Sequence, residues 1–386
     1  MSAEEILVTA AAIVAGDEVL RPGWMRVGGG RVLDLGSGPG PVLNLPRLDY
    51  DGTVLPGFVD LHVHGGGGAS YTDGIADEVR RAAEFHLAHG TTTTMTSTVS
   101  ATPEALIEIV ERLAPLVEAG ISAGIHLEGP WISQQRCGAH DPQALRSPDL
   151  AEIDRVLTAG RGTIAMVTLA PELPGGMAAV SRFAQAGVLV AVGHTEATYA
   201  QAREAIDRGA RVATHLFNAM APLGHREPGP VLALTEDPRV LIELIGDGVH
   251  LHPALVLDAE RSLGFDRVAL VTDAMVAAGM SDGAYRLGEL DVDVVDGVAR
   301  VRATGAIAGS TATMELLFRR AAHSFSAAVG GLPDDVLVGL TKMTSGNQAR
   351  VLGRDDIGVL ERGRRADFVV VNADFDVVDV YRVREF

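Results

Sequence analysis

Short apolar runs alternate with longer amphipathic segments along most of the chain, starting near residue 54. The longer segments carry apolar residues at three- and four-residue spacing, as in residues 78–89 and 104–119, which is typical of helices with one buried face. The apolar runs have the length of strands and occupy residues 54–64, 91–98, 121–128, 163–170, 188–194, 211–215, 240–246 and 267–273. These eight runs, most of them separated by helical segments, predict a parallel sheet closed into a (β/α)₈ TIM barrel.

The two ends of the chain have a different pattern. Residues 3–54 contain short β-like runs separated by glycine- and proline-rich turns, and residues 367–371 form another β-like run. We therefore expect residues 1–54 and 355–386 to form a small β-sandwich domain, with residues 55–354 as the barrel.

One further segment interrupts the alternation after the eighth predicted strand. Residues 280–305 are polar and punctuated by glycine, which predicts an insertion built as a hairpin. Helical spacing returns at residues 313–329 and 334–351, so two helices should follow this insertion.

Composition and charge exclude several classes of protein. Hydrophobic residues make up 47% of the 386, enough for one large domain and an appendage. The net charge of −18 argues against nucleic acid or an anionic membrane as partner, and an anionic substrate would need local arginines.

Charged residues interrupt the apolar runs, so we expect no membrane span, and residues 1–20 lack the basic start of a secretory signal. Cys137 is the only cysteine, which excludes intrachain disulfides and thiolate metal clusters, and we expect a cytoplasmic protein.

Side chains that bind metals stand at the ends of five predicted strands: His62 and His64, Glu128, His194, His215 and Asp273. The C-terminal ends of barrel strands meet at one face, so residues distant in sequence converge there. Four imidazoles and two carboxylates suit zinc or another borderline divalent metal. An isolated H-x-H pair could equally be two histidines hydrogen-bonded near a turn. The recurrence of ligands at five strand ends favours a metal site.

Several stretches carry a resemblance to a known family. Residues 56–64, PGFVDLHVH, resemble the first-strand signature of the amidohydrolase superfamily. The N-acetylglucosamine-6-phosphate deacetylases of that superfamily are similar in further stretches: HLEGP at 126–130, GHT at 193–195, THLFNAM at 214–220, DGVH at 247–250 and VTDA at 271–274. The matches run in order along the barrel, and the split terminal domain extends them to both ends.

The resemblance implies one metal held by Glu128, His194 and His215. It allows a second with His62, His64 and Asp273, bridged by Glu128, so one or two ions per subunit are expected. Some members lack the histidine pair and use one metal, so the presence of both histidines here favours two. Many binuclear relatives bridge their metals with a carboxylated lysine on the fourth strand. Lys342 is the only lysine in this chain and lies outside that strand, which leaves glutamate as the bridge.

The resemblance also implies roles for individual residues. Asp273 would act as general base and then as general acid, and His140 would donate a hydrogen bond to the substrate carbonyl. The loop that ends at His140, residues 134–140, is expected to fold over the site as a lid. The positions expected to contact sugar and phosphate are Ala139, Asn218, Ala219, Arg226, Asp247, His250, Ile307, Ala308 and Gly309. In relatives the arginine that corresponds to Arg226 reaches across a dimer interface, so a homodimer is implied.

Simpler alternatives stay open for some of these residues. His140 and Arg226 could be solvated surface side chains, and Asn218 could cap the turn after the sixth strand. His86 and His89 lie three residues apart on one predicted helix and could chelate a metal or form a packed or solvated helix face.

Three functions follow from these observations. The resemblance implies metal-dependent hydrolysis of the acetamide of N-acetylglucosamine 6-phosphate, a small-molecule phosphosugar. A second hypothesis is another amidohydrolase, acting on an N-acyl amino acid or a cyclic amide. A third is a catalytically silent scaffold, against which the complete ligand set argues.

Overall fold

The computed structural model describes residues 5–383. In this range the strands are β1 (Ile6–Ala15), β2 (Glu18–Leu20), β3 (Gly23–Gly28), β4 (Arg31–Ser37), β5 (Arg47–Pro56), β6 (Phe58–Asp60), β7 (Gly65–Gly66), β8 (Ala69–Ser70), β9 (Thr91–Thr94), β10 (Thr96–Thr98), β11 (Ile125–Glu128), β12 (Ile164–Leu169), β13 (Leu189–Val192), β14 (Ala210–Ala213), β15 (Leu241–Leu244), β16 (Val268–Leu270), β17 (Gly283–Leu287), β18 (Leu290–Val295), β19 (Val298–Val301), β20 (Phe368–Val371) and β21 (Val377–Tyr381). The helices are α1 (Ala76–Ala88), α2 (Pro103–Glu118), α3 (Leu150–Gly160), α4 (Gly176–Gln185), α5 (Tyr199–Asp207), α6 (Gly229–Glu236), α7 (Pro253–Leu263), α8 (Met314–Val329), α9 (Asp334–Thr341) and α10 (Asn347–Val351).

Parallel strands form the predicted barrel. β6 pairs with β9, the chain continues through Met95 into β10, and β10 to β16 then pair in chain order. A parallel bridge between Val63 and Ala274 joins the segments that follow β6 and β16 and closes the ring. Helices α1 to α7 lie in the connections between successive barrel strands, and α8 follows the last of them. The (β/α)₈ prediction is therefore confirmed.

Side chains fill the barrel interior, so it is a packed core rather than a channel. Leu61, Met95, Met166 and Val212 belong to one buried cluster there. Leu352, which follows α10, packs against this cluster. Apolar side chains therefore pack inside the barrel, and polar side chains lie at the C-terminal ends of its strands.

Both chain ends contribute to a second sheet, of seven strands in the described residues. Its order is β21-β20-β5-β1-β3-β4, with β2 paired to β1. The N-terminal β1 to β5 and the C-terminal β20 and β21 therefore meet, as the sequence predicted. Residues 1–4 and 384–386, which the predicted terminal domain includes, lie outside the described residues.

The predicted first strand, residues 54–64, is in fact divided between the two sheets. β5 ends at Pro56 in the terminal sheet and β6 begins at Phe58 in the barrel. Gly57 lies between them and packs closely against Thr92. A Cβ atom at this position would lie 2.3 Å from Oγ1 of Thr92, so only glycine fits. The strand also ends at Asp60, so His62 and His64 lie on the segment beyond it.

Three other elements differ from the sequence prediction. The insertion at 280–305 is a three-stranded antiparallel sheet, β17 to β19, rather than a hairpin. Helix α6 was not predicted, because its eight residues, GPVLALTE, are mostly apolar and show no helical period. The last predicted helix is divided by a π-helical turn, Lys342–Gly346, between α9 and α10. None of the helices within residues 5–383 is long and apolar enough to cross a bilayer.

Phe368 tests the packing of the terminal sheet. Its side chain is fully buried, and its ring stacks on Tyr381 with the centroids 4.9 Å apart. We expect Phe368→Ala to lower the free energy of unfolding by about 3–5 kcal/mol in urea denaturation, because the truncation leaves a cavity. The control Val378→Ala alters a residue that is 59% exposed and should change stability by less than about 0.5 kcal/mol. Equal effects of the two substitutions would contradict a core position for Phe368.

Candidate metal centre and active site

The predicted ligands meet at the C-terminal mouth of the barrel. Glu128 is the last residue of β11, and His194 and His215 each lie two residues beyond a strand, after β13 and β14. Asp273 lies three residues beyond β16. All six ligands, His62 and His64 included, have at most 8% of their surface exposed. The structure therefore brings together every residue of the predicted metal set.

Glu128 lies at the centre of this cluster. Its Oε1 is 3.1 Å from Nε2 of both His194 and His215, and 3.3 Å from Nε2 of His62. Its Oε2 is 3.2 Å from Nε2 of His64. Ligand atoms around a tetrahedral metal with bonds of about 2.1 Å lie about 3.4 Å apart, so these separations suit a shared cation.

Asp273 completes the other side of the mouth. Its Oδ1 lies 3.2 Å from Nε2 of His64 and 3.5 Å from Nε2 of His62, and these two nitrogens are 3.1 Å apart. Groups of three ligand atoms mutually within 4.8 Å include His62, His215 and Asp273 as well as His62, His64 and Glu128. The ligands therefore form one continuous cluster rather than two separate groups.

Hydrogen bonds to main-chain carbonyls fix the tautomers of two ligand histidines. Nδ1 of His64 donates to the carbonyl of Ser97 at 3.2 Å, and Nδ1 of His194 donates to the carbonyl of Arg136 at 2.7 Å. A carbonyl only accepts, so Nδ1 carries the proton in both rings. Nε2 is then the nitrogen available to a metal, and it is the one that faces Glu128.

His140 has the opposite tautomer. The main-chain N–H of Ser100 donates to its Nδ1 at 3.1 Å, so the neutral ring carries its proton on Nε2. That Nε2 lies 3.2 Å from Oε2 of Glu128. Burial lowers the pKa of His140 to about 4, although Glu128 acts to raise it. The ring is therefore neutral. His140 is therefore a buried N–H donor that faces the ligand cluster, not a solvated loop residue.

The field at the mouth is strongly negative. Burial favours the uncharged imidazole, yet Glu128 and Asp273 outweigh it, holding the pKa of His62 well above its ordinary value and raising that of His64 to about 9. A field that holds a proton on a buried imidazole also favours a divalent cation. Donor types, spacing and field therefore all fit a divalent metal.

The backbone is strained at three of the ligands. His194, His215 and Asp273 have φ angles of 48°, 29° and 49°, in the left-handed region that residues other than glycine rarely adopt. Such conformations cost about 1–3 kcal/mol each and occur where surrounding structure enforces them. Each follows a buried barrel strand, so the turn out of the strand carries its ligand.

Sequence reasoning missed a fully buried carboxylate beneath the cluster, Glu243 on β15. Its Oε2 lies 3.5 Å from Nδ1 of His62 and accepts the main-chain N–H of His215 at 3.3 Å. Its Oε1 has no hydrogen-bond partner among the described residues. The available signal was a single charged residue in the apolar run 240–246. In other proteins, a carboxylate beside the second ring nitrogen of a metal-binding histidine orients that ring.

A cavity of about 300 Å³ opens beside the ligand cluster. Of the predicted substrate contacts, the following line it: Ala139, Asn218, Ala219, His250, Ile307 and Gly309. Gln135, Arg136 and Gly138 of the predicted lid also line it. Residues that the sequence did not indicate line it as well: Val99, Ile245, Leu287 and Ala306. Leu287 belongs to β17, so the insertion after the eighth strand forms one wall.

Three predicted contacts lie outside this cavity. Ala308 is fully buried, and Asp247 lies behind His250 and accepts from its Nδ1 at 2.8 Å. Burial opposes the charged form of His250, but Asp247 outweighs burial and raises its pKa. Arg226 is exposed and forms no ion pair with any residue in the range 5–383.

His86 and His89 do not converge on a common point. Nε2 of His86 donates to the carbonyl of Gly65 at 2.9 Å inside the protein, whereas Nδ1 of His89 contacts Oε2 of Glu315 at 2.7 Å. Their separate partners match a packed helix face.

Residues 53–384 match the amidohydrolase family, and the chain belongs to that family. Among solved structures, N-acetyl-D-glucosamine-6-phosphate deacetylase from Mycobacterium smegmatis is 51% identical, with a TM-score of 0.92 and 98% of both chains covered. A mutant of that enzyme in complex with N-acetyl-D-glucosamine-6-phosphate superimposes with a TM-score of 0.93 over the same share of both chains. N-acetylgalactosamine-6-phosphate deacetylase from Escherichia coli O157:H7 is 35% identical over 85% of this chain and 86% of its own.

Glu243→Gln tests the carboxylate beneath the cluster. The amide keeps the shape but removes the charge beside His62, so we expect the metal dissociation constant to rise about 10–100-fold in competition with a chelator. The control Asp237→Asn removes another buried carboxylate, one held by Arg239 and Arg203, and should lower stability without weakening metal binding. Unchanged metal affinity in Glu243→Gln would show that this residue has no part in orienting the ligands.

Proposed function

We propose that the chain hydrolyses the acetamide of N-acetylglucosamine 6-phosphate to glucosamine 6-phosphate and acetate. One observation carries this proposal: a buried cluster of four histidines and two carboxylates faces a neutral N–H donor, His140, in a cavity of sugar size. The Mycobacterium smegmatis enzyme, which is 51% identical, was solved as a mutant in complex with that phosphosugar, and this supports the choice of substrate. We assign catalysis to the barrel, residues 55–354, and support of the barrel to the terminal sheet.

The metal set in this proposal is His62, His64, Glu128, His194, His215 and Asp273. Imidazole and carboxylate donors suit zinc, and these six residues would hold one or two ions per subunit. A bound divalent metal supplies Lewis acidity, which polarises an acyl carbonyl and lowers the pKa of water towards about 7.

Asp273 moves the proton in this mechanism. Burial raises the pKa of its carboxyl, but His62 and His64 outweigh burial and hold the pKa below its ordinary value, so the carboxylate is ionised. It takes the proton of the attacking water as a C–O bond forms at the acyl carbon. It then gives that proton to the amide nitrogen, the C–N bond breaks, and the amine and acetate leave.

His140 stabilises the oxygen that gains charge. Its Nε2–H points into the cluster because Ser100 occupies Nδ1. As water adds to the amide, the carbonyl oxygen becomes an oxyanion, and a positioned N–H donor binds that charge more strongly than the ground-state carbonyl. A neutral donor with a low pKa stays in this state throughout the physiological range.

The phosphate contacts in this proposal are His250 and Arg226. Asp247 holds His250 by its Nδ1, which leaves Nε2 for the ligand. Arg226 is exposed and does not line the cavity of its own subunit, which supports a role in the site of a neighbouring subunit. Exposed apolar residues nearby in sequence, Phe217 at 38% and Leu223 at 60%, support a self-association surface there. We therefore propose a homodimer in which Arg226 completes the neighbouring site.

A substrate panel tests the reaction. Acetate release should be at least about 100-fold more efficient with the 6-phosphate than with unphosphorylated N-acetylglucosamine, because two charge-assisted contacts contribute about 1.5 kcal/mol or more each. N-acetylgalactosamine 6-phosphate, an N-acyl amino acid and a cyclic amide complete the panel. Asp273→Asn is the control that should keep metal and lose about 10²–10⁴-fold in kcat. Indifference to the phosphate would favour another amidohydrolase reaction.

Hybrid dimers test the position of Arg226. Arg226→Ala and Asp273→Asn subunits, each impaired alone, should regain about one quarter of wild-type activity when mixed in equal amounts at low substrate concentration. Half of the dimers are then hybrids, and each has one site with both residues intact. Arg155→Ala, which alters another exposed arginine, should retain full activity. No recovery in the mixture would place Arg226 in its own subunit's site or outside catalysis.

A further inference from the structure

The lid, residues 134–140, touches the metal cluster through more than His140. Its residue Arg136 supplies the main-chain carbonyl that accepts from Nδ1 of His194 at 2.7 Å. Gly138 lies close against the same imidazole, since a Cβ atom there would be 3.1 Å from its Cε1. One metal-ligand ring is therefore oriented by the lid itself.

An ion pair holds the lid in this position. The guanidinium of Arg136 donates to the carboxylate of Glu196, two residues beyond His194. Glu196 is fixed in turn, because its main-chain N–H donates to Oε1 of Glu172 at 2.6 Å. At the start of the lid, the N–H of Ser133 donates to the carbonyl of His194 at 2.9 Å. The lid and the segment 194–196 are thus joined by side-chain and main-chain contacts.

The Nδ1 partners of His64 and His194 come from different parts of the molecule. His64 receives its Nδ1 partner from Ser97, which is part of β10 and buried. His194 receives its partner from a half-buried loop residue. A partner on the second nitrogen fixes the direction of the metal-binding nitrogen, so His64 is oriented by a barrel strand and His194 is oriented by the lid.

We propose that Arg136 and Glu196 are positioning residues that couple closure of the lid to metal binding at His194. This inference rests on the proposed metal site. Because coupling is reciprocal, a lid that strengthens metal binding must itself be closed more firmly by the metal, by the same factor. Cys137 lies within the lid and is the only cysteine in the chain, so its thiol reports lid opening.

Metal affinity provides the first measurement, using the purified full chain, zinc ions and a competing chelator. Arg136→Ala and Glu196→Gln should each weaken zinc binding by about 10-fold or more, as loss of an orienting contact does elsewhere. Arg136→Lys keeps the ion pair and should restore affinity to near the wild-type value. Arg161→Ala removes a remote exposed ion pair with Glu118 and should leave affinity unchanged.

Alkylation of Cys137 by iodoacetamide provides the second measurement, independent of activity. Zinc should slow labelling of the wild-type chain, and this protection should fall in Glu196→Gln by the same factor as the affinity. Equal affinities in all variants, or labelling rates that zinc does not change, would overturn the coupling. A chain that shows this coupling but releases no acetate from the phosphosugar would instead refute the proposed reaction alone.

Discussion

The mouth of the barrel depends on the carboxylate of Glu128, which faces five imidazole nitrogens at once. Oε1 is within 3.3 Å of His62, His194 and His215, and Oε2 is 3.2 Å from His64 and His140. A buried carboxylate is costly unless positive or polarised groups surround it. Burial raises its pKa, but the imidazoles, with His62 foremost, outweigh burial and keep it ionised. The same negative centre that gathers the imidazoles is what makes the site suitable for a cation.

Main-chain contacts to Nδ1 give His64 and His194 one role and His140 another. Carbonyl acceptors leave Nε2 of His64 and His194 free for a metal, whereas the N–H of Ser100 makes Nε2 of His140 a donor. Chemically identical side chains thus acquire different roles from a single main-chain partner each. His126 belongs to a third kind, because Ser97 and Thr168 occupy both of its nitrogens and burial holds its pKa well below the ordinary value.

The hydrophobic pattern predicted the barrel well because buried parallel strands and amphipathic helices differ strongly in period. The convergence of the six candidate ligands was also predictable, since His62 to Asp273 stand near strand ends that the fold brings together. Helix α6 was not, because a short apolar helix has no period to detect. The Arg136 carbonyl was beyond prediction for a different reason: main-chain acceptors have no residue signature, and their positions follow only from loop geometry. Glu243 lies between these cases, visible as a charge in an apolar run but without an indicated partner.

The left-handed backbone at His194, His215 and Asp273 has a consequence for how this protein can evolve. Glycine would adopt these turns without strain. Each position therefore carries backbone strain in order to present an imidazole or carboxylate side chain. A change to glycine at any of these three positions would therefore relieve backbone strain while removing a member of the proposed metal set. Selection for stability alone would favour the loss of such strained residues, so their retention depends on selection for activity.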